Sequence, residues 1–323
     1  MVAFLPSTPQ GIFLLAIISV LFLITLISSF RKNANITNIL VISMVIVFSI
    51  QTILSFDAVY DLPVLEGLLE KGGDDLSAQL GFYPRAIVDD YAVYQFITYT
   101  YLHGGIIHMI MNLVGLFVLG TQFERKVGPK RFLMIYFGSG IISASVVLLI
   151  SPYDILGQSM NTASIGASGC IFGILGGYWY LYPREEILFP LIYLKKWPLT
   201  LIVLIYGGIS AVMLVWGGWD DVSHVGHFAG LVGAFPIAWL VRPPDETPIE
   251  QTKLSKERLQ DMARSKGQKE LLEKVLSADE KDVREAWLEE FFEKVDCPHC
   301  GKAGLSYSGG KAVCQNCGKK VRP

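Results

Sequence analysis

Three short polar runs interrupt otherwise apolar stretches of this chain, and each holds residue types that do chemistry. The first has His103, His108 and Asn112; the second Ser164, Gly166, Ala167, Ser168 and Gly169; the third His224 and His227. Polar groups inside an apolar span are costly to bury in lipid, so they point to function. A serine hydroxyl is a weak nucleophile that needs an adjacent base, and only a histidine can supply one here. Gly166 permits an unusual backbone just before Ser168, and free N–H groups at a helix start can donate to a developing oxyanion. His108 and Asn112 are four apart, share a helix face, and can both donate to one negative oxygen. No acidic residue lies within an apolar span to complete a triad, so the expectation is a two-residue dyad.

Packing is the competing reading of the glycines. Gly169, Gly173 and Gly177 form a small-residue ridge, and Gly226, Gly230 and Ala234 form another. In membranes such ridges let helices approach closely. The two readings are compatible, because close approach would bring Ser168 to a histidine. His227 lies about 60° and His224 about 120° from the direction of the second ridge, so His227 is the expected base. His224 is expected to hydrogen-bond near the outer boundary. Phe172, one turn after Ser168, either stacks on the imidazole or simply packs. His103 braces the mouth of its helix, and Cys170 reads as a small buried apolar residue.

The elements that must position these groups are membrane helices. The 323 residues are 52% hydrophobic and 17% charged with a net charge of −2, and mean hydropathy is +0.44. No global basicity suggests nucleic acid as a partner. A span needs about 20 apolar residues, and seven candidates fit: 10–30, 37–55, 102–122, 132–150, 167–182, 198–216 and 225–241. The first lacks a basic flank and a small-residue cleavage site, so it reads as a retained helix rather than a signal peptide. Arg31 and Lys32, then Arg125, Lys126, Lys130 and Arg131, then Arg184, Lys195 and Lys196, and finally Arg242 fall in alternate connections, while loop 56–95, Asp154, Asp220 and Asp221 make the others acidic. Basic loops mark the cytoplasmic side. The expected protein is therefore a multi-pass cell-membrane protein, N-terminus outside and C-terminus cytoplasmic. Spans three, five and seven then run the same way, which puts His108, Asn112, Ser168 and His227 in one layer below the outer surface.

The last part of the chain is polar. Residues 243–295 read as a linker followed by amphipathic helices at 249–264 and 268–295, with a capping-box pattern at Ser277–Glu280. Residues 296–323 hold Cys297, Cys300, Cys314 and Cys317 as two C-x-x-C pairs separated by 13 residues, each followed by glycine. That spacing is a strong signal for a structural Zn²⁺ ribbon. Thiolate ligands need a reducing compartment, which independently places the C-terminus in the cytosol.

The runs His103-Gly-Gly-Ile-Ile-His108-Met-Ile-Met-Asn112, Gly166-Ala-Ser-Gly169 and His227-Phe-Ala-Gly230 resemble, in order and orientation, those of the rhomboid family of intramembrane serine proteases. The resemblance covers about residues 37–241. It implies an all-α polytopic fold: a six-helix core at 37–242, an extra N-terminal transmembrane helix at 1–36, and the small zinc-ribbon module. It further implies Ser168 as nucleophile, His227 as base, and His108, Asn112 and the Ser168 N–H as oxyanion hole, with no catalytic cofactor. His103, Gly166, Gly169, Phe172, His224 and Gly230 would support them. Substrates would be single-pass membrane proteins, entering from the lipid bilayer with a locally unwound stretch of small residues. Tyr94-Gln95 stands where many relatives carry Trp-Arg, which changes how the first loop is anchored. The alternative is a noncatalytic membrane adaptor that recruits a cytosolic protein partner through the ribbon. A channel fits poorly, because the polar residues sit at one depth.

Overall fold

The computed structural model describes residues 5–31, 33–54, 75–156, 158–189, 195–216, 223–242, 256–278, 281–308 and 311–321. The chain divides into two compact units, Met1–Arg242 and Pro243–Pro323.

In the first unit all seven stretches expected to span are helical: α1 (Pro9–Ser29), α2 (Ile36–Leu54), α6 (Ile106–Val127), α7 (Pro129–Ile150), α8 (Ser168–Leu181), α9 (Leu199–Trp216) and α10 (His224–Val241). Between α2 and α6 lie three short helices, α3 (Asp75–Leu80), α4 (Pro84–Asp90) and α5 (Gln95–Thr98). Among the described residues, α1, α2, α6, α7 and α10 are long and apolar enough to cross a membrane. The protein is thus an all-α polytopic membrane protein. The acidic loop at 56–95 is described only from residue 75, and Asp220 and Asp221 lie outside the described residues.

Helix α7 starts three residues before the expected 132, and α6 departs most from its expected boundaries. Helix α6 begins at Ile106 rather than 102, because Gly105 is fully extended (φ 177°) and starts the helix, leaving His103 in the preceding turn. Its ladder widens to a π turn at Leu116–Gly120 before running on to Val127. Helix α8 has only 14 residues. At 1.5 Å per residue it is about 21 Å long, well short of a hydrocarbon core of about 30 Å. Its start lies inside the ends of both neighbours, because Gly169 meets Ser143, seven residues before the end of α7, and Gly230, six residues into α10. Helix α8 packs against both α7 and α10, and a shared core of Phe132, Ile135, Tyr136, Ile174, Tyr178 and Ala234 fills the space between them.

At the opposite end from Ser168, the buried Glu124 carboxylate accepts from the backbone N–H of Ile36 (2.6 Å), the N–H of Thr37 (2.8 Å) and the Thr37 hydroxyl (2.7 Å). A helix start leaves unpaired N–H groups, and here an acid on α6 caps α2 across the fold. At the same end a hairpin of β1 (Glu186–Phe189) and β2 (Lys195–Pro198) is held by Gln122, whose amide exchanges two hydrogen bonds with the Leu188 backbone. Lys126 pairs with Glu185 at 2.9 Å.

The second unit has helices α11 (Lys256–Met262), α12 (Lys266–Ser277) and α13 (Lys281–Lys294) and a three-stranded sheet of β3 (Leu305–Ser308), β4 (Lys311–Cys314) and β5 (Lys320–Val321). The expected helix 268–295 is broken at Ala278, whose extended backbone (ψ 114°) ends α12 and whose carbonyl accepts from the Arg284 guanidinium. A capping box is made by Ser265 and Gln268, which open α12. The one expected at Ser277–Glu280 falls partly outside the described residues, as does the linker at 243–255. Leu272, Phe291 and Phe292 share one core with Leu305, Tyr307 and Cys314, and Phe292 stacks on Tyr307 at 5.0 Å and 11°.

Replacing Glu124 by Ala leaves three buried donors without their acceptor. A hydrogen bond to a charged group contributes about 1.5–3 kcal/mol, so Glu124→Ala should lower thermal stability by at least the value of one such bond. Glu124→Gln should lose less. Unfolding of the purified protein in detergent measures both, and an unshifted midpoint for Glu124→Ala would remove the cap from the stability argument.

Candidate active site and metal centre

Ser168 opens α8, and His227 lies in the first turn of α10. The His227 Nε2 and Ser168 Oγ are 2.7 Å apart, a short hydrogen bond. The ring of Phe172 lies flat on the His227 imidazole, with centroids 4.4 Å apart and planes 6° from parallel. Of the two open readings of Phe172, stacking is the one the structure has. His224 meets His227 edge-on at 5.9 Å and sits at the helix start beside Ser223, whose hydroxyl accepts from Gly226 N–H.

The close approach behind this pair is a matter of absent side chains. A Cβ on Gly230 would collide with the carbonyl of Gly169, and one on Gly176 with the backbone of Leu231. On the other face of α8, Gly169 and Gly173 lie against Ser143 and Ser139 of α7. The ridge read from the sequence therefore serves α7 as well as α10, since α8 is flanked on two sides. Gly176 belongs to neither expected ridge, and nothing in the local pattern distinguishes it.

The chain enters α8 in a fixed way. Gly166 has φ +118°, a conformation that a side chain would strain. A methyl group there would also lie 2.7 Å from His108 Nε2 and 3.9 Å from Asn112 Nδ2. Both nitrogens thus face the segment two residues ahead of the serine. Gly104 N–H donates to His108 Nδ1 at 3.4 Å, which in a neutral ring leaves the proton on Nε2, the atom facing the site. Asn112 Nδ2 also donates to the His108 carbonyl at 2.8 Å. The first turn of α8 has no side-chain cap, so no side chain of its N-cap residue occupies the N–H groups of the helix start. His103 is fully buried and meets His108 edge-to-face at 5.2 Å. Cys170 is buried against Gly140 of α7.

Beside Ser168 and His227 is a cavity of about 30 Å³, walled by Phe82, Tyr99, Ala144 and Val147. Ser143 lines it too, with its hydroxyl donating to the Gly226 carbonyl at 2.8 Å. Sequence reasoning passed over Phe82, Tyr99 and Ser143, because apolar rings and helix serines carry no local mark of a site. The first loop is anchored at the expected Tyr94-Gln95 pair, whose partners the sequence does not reveal. Gln95 Nε2 and the Tyr94 hydroxyl both donate to the Gln79 carbonyl at 3.0 Å, and Gln95 Oε1 accepts from Tyr83 N–H at 3.0 Å.

In the second unit Cys297, Cys300, Cys314 and Cys317 converge, their sulfurs all within 4.8 Å of one another. The Cys297–Cys317 and Cys300–Cys314 sulfur separations are 3.9 and 3.6 Å. Four sulfurs at about 2.3 Å from a tetrahedral ion stand about 3.8 Å apart, so the set fits a metal. The two knuckles repeat each other: Gly301 N–H donates to the Cys297 carbonyl and Gly318 N–H to that of Cys314, both glycines at φ +68°. Backbone N–H groups, that of Cys317 foremost, pull the Cys314 thiol down to about 6. His299 is exposed.

Fold and site together define a polytopic membrane protein with a serine–imidazole pair at a submerged helix start. The Rhomboid domain family matches residues 90–244. Rhomboid protease GluP of Bacillus subtilis is 34% identical over 134 residues, covering 42% of this chain and 23% of that protein. RHOMBOID-like protein 4 of Arabidopsis thaliana is 30% identical over 155 residues, 44% of this chain and 33% of that one. Inactive RHOMBOID-like protein 8 of the same plant is 31% identical over 98 residues, 30% of this chain and 28% of that one. The matches thus span a third or less of these relatives. The chain belongs to the rhomboid family.

Overpacking a tight seam typically costs about 1–3 kcal/mol. Gly230→Ala and Gly176→Ala should each destabilise the protein by about that much, read as a lowered unfolding midpoint. Gly208→Ala serves as the control, since a Cβ there meets nothing within 4 Å. Equal midpoints for all three would mean that α8 and α10 are not so closely packed.

Proposed function

We propose that this chain is an intramembrane serine endopeptidase that cleaves transmembrane segments of single-pass membrane proteins. The observation that carries the reading is the 2.7 Å contact between Ser168 Oγ and His227 Nε2. As Ser168 Oγ bonds to the substrate carbonyl carbon, its proton passes to His227 Nε2, and the carbonyl oxygen takes the negative charge. His108 Nε2–H, Asn112 Nδ2–H and the Ser168 N–H donate to that oxygen. Collapse of the adduct breaks the C–N bond, and His227 returns its proton to the departing amine. Water then attacks the acyl-serine with the same base, releasing the carboxylate and restoring Ser168. Stacking on Phe172 restricts rotation of the imidazole through both transfers. No step calls for a cofactor.

A peptide bond within an intact helix is shielded by its own turns and hydrogen bonds, so the substrate must unwind before Ser168 can reach it. The cavity of about 30 Å³ is of the order of one or two waters, and so suits a small side chain next to the scissile carbonyl. The basic residues of the α6–α7 connection and the β1–β2 region mark the cytoplasmic end, and the serine lies toward the outside. The C-terminal thiolates hold a structural Zn²⁺, and the ribbon offers a surface to a cytosolic protein.

Ser168→Ala and His227→Ala should each lower cleavage by on the order of 10³-fold or more, with membrane insertion unchanged. A fluorophosphonate probe should label the parent and neither variant. Comparative membrane proteomics of active and Ser168→Ala strains would show shed ectodomains. Cleavage by Ser168→Ala at the parent rate would overturn the assignment, and an unlabelled parent that still binds transmembrane segments would return the chain to the adaptor reading.

For the metal, elemental analysis should find one zinc per chain, and Cys314→Ser should carry little. Structural zinc in such sites contributes much of the folding free energy, so chelation should make residues 256–321 susceptible to proteolysis. A protease-resistant tail after complete metal removal would contradict a structural role.

A further inference from the structure

The additional helix α1 has its N-terminus at the same end of the fold as Ser168, and a chain of hydrogen bonds joins the two. Thr8 caps α1, its hydroxyl accepting from Gly11 N–H at 3.1 Å. The Thr8 N–H and hydroxyl both donate to Gln79 Oε1, each at 3.2 Å. Gln79 lies in the last turn of α3, and its carbonyl receives the Tyr94 hydroxyl and Gln95 Nε2. Gln95 Oε1 in turn holds Tyr83 N–H. The neighbouring Phe82 exchanges two backbone hydrogen bonds with Ser164, both at 2.8 Å. Thr98 fixes the Leu80 carbonyl from the other side. Ser164 stands four residues before Ser168, and Gly166 N–H between them donates to the Tyr99 carbonyl at 2.9 Å.

The loop that delivers the serine is therefore one side of an isolated antiparallel bridge, and the segment on the other side is anchored on Gln79. Gly81 leaves no room for slack: a Cβ there would lie 2.8 Å from Ile165 Cγ2. Phe82 is fully buried and also walls the cavity beside Ser168, so a shift of this segment moves both the nucleophile's approach and the pocket. The side chain of Gln79 is the link in this path that meets α1, and it meets it at the helix cap.

We propose that Gln79 is a positioning residue through which the N-terminal helix α1 holds the Phe82–Ser164 bridge, and with it Ser168, in register with His227. The proposal rests on the catalytic reading for its effect on rate and on the bridge alone for its effect on structure. Small misplacements of a nucleophile have large kinetic consequences. The coupling makes α1 part of the active-site scaffold, in addition to its role as a membrane anchor.

Two readouts on the full-length protein in detergent or nanodiscs test it. Gln79→Ala should slow fluorophosphonate labelling and substrate turnover roughly tenfold, chiefly in kcat with KM little changed. Hydrogen exchange at Ser164 and Gly166 should speed several-fold. Gln79→Glu, which keeps an accepting oxygen for Thr8, should restore both. Gln122→Ala, which frees the β1–β2 hairpin at the far end, should leave both at parent values. Thr8→Ala is the milder variant for the case in which Gln79→Ala does not fold, with the same sign expected. Parent-like exchange at Ser164 and Gly166 in Gln79→Ala overturns the coupling, as does a Gln79→Glu protein no better than Gln79→Ala. Exchange does not depend on catalysis, so an unlabelled parent would sink the protease reading and leave the structural coupling to be judged by exchange.

Discussion

A short helix buried between two longer ones sets the terms for everything else in the membrane unit. Helix α8 can begin below the level of its neighbours only because its backbone touches theirs, Gly169 against Gly230 and Gly176 against Leu231. Lipid offers no hydrophobic drive to push helices together, so close van der Waals contact between small residues must supply the cohesion. The same contact sets the distance between two backbones, and thereby the distance between a hydroxyl on one and an imidazole on the other. Packing and chemistry are here the same constraint.

The submerged start of α8 raises a second problem, because irregular backbone at that depth must have its polar groups satisfied by protein. The segment before Ser168 meets this demand by pairing with Phe82 and by donating Gly166 N–H to Tyr99. At the other end of the unit, Glu124 solves the matching problem for the start of α2. Both solutions reach across the fold to a residue distant in sequence. The polar interior is thus a set of long-range ties that resist sliding of one helix past another.

What could be read from the sequence follows from this division. Histidines, an asparagine and a serine stand out against apolar spans, and helical periodicity alone relates His108 to Asn112 and His227 to the Gly226–Gly230 ridge. Membrane spans are legible for the same reason, and α8 was visible as the shortest of them. Tyr94-Gln95 stands out as a changed loop anchor, but Gln79 and Glu124 could not be recognised as ties, since each owes its role to a partner far along the chain. Gly176 is one glycine among 31, and its importance appears only when Leu231 is beside it. The start of α6 is hidden in the sequence at the Gly104-Gly105 turn, where an apolar run continues but the helix does not. In the tail, charge and periodicity marked helices, yet the break at Ala278 depends on an arginine six residues on.

The shared core of the C-terminal unit changes how its parts should be regarded. Cys297 and Cys314 are buried in the same cluster as Phe291, Phe292 and Leu272, so the inner wall of the cysteine knuckles is supplied by helices α12 and α13. The ribbon is consequently not a portable cassette. Transplanting residues 296–323 alone into another protein would expose the ring of Tyr307 where Phe292 now covers it. The smallest graftable piece begins at α11, and any divergence of the ribbon's apolar side has to be matched by its helices.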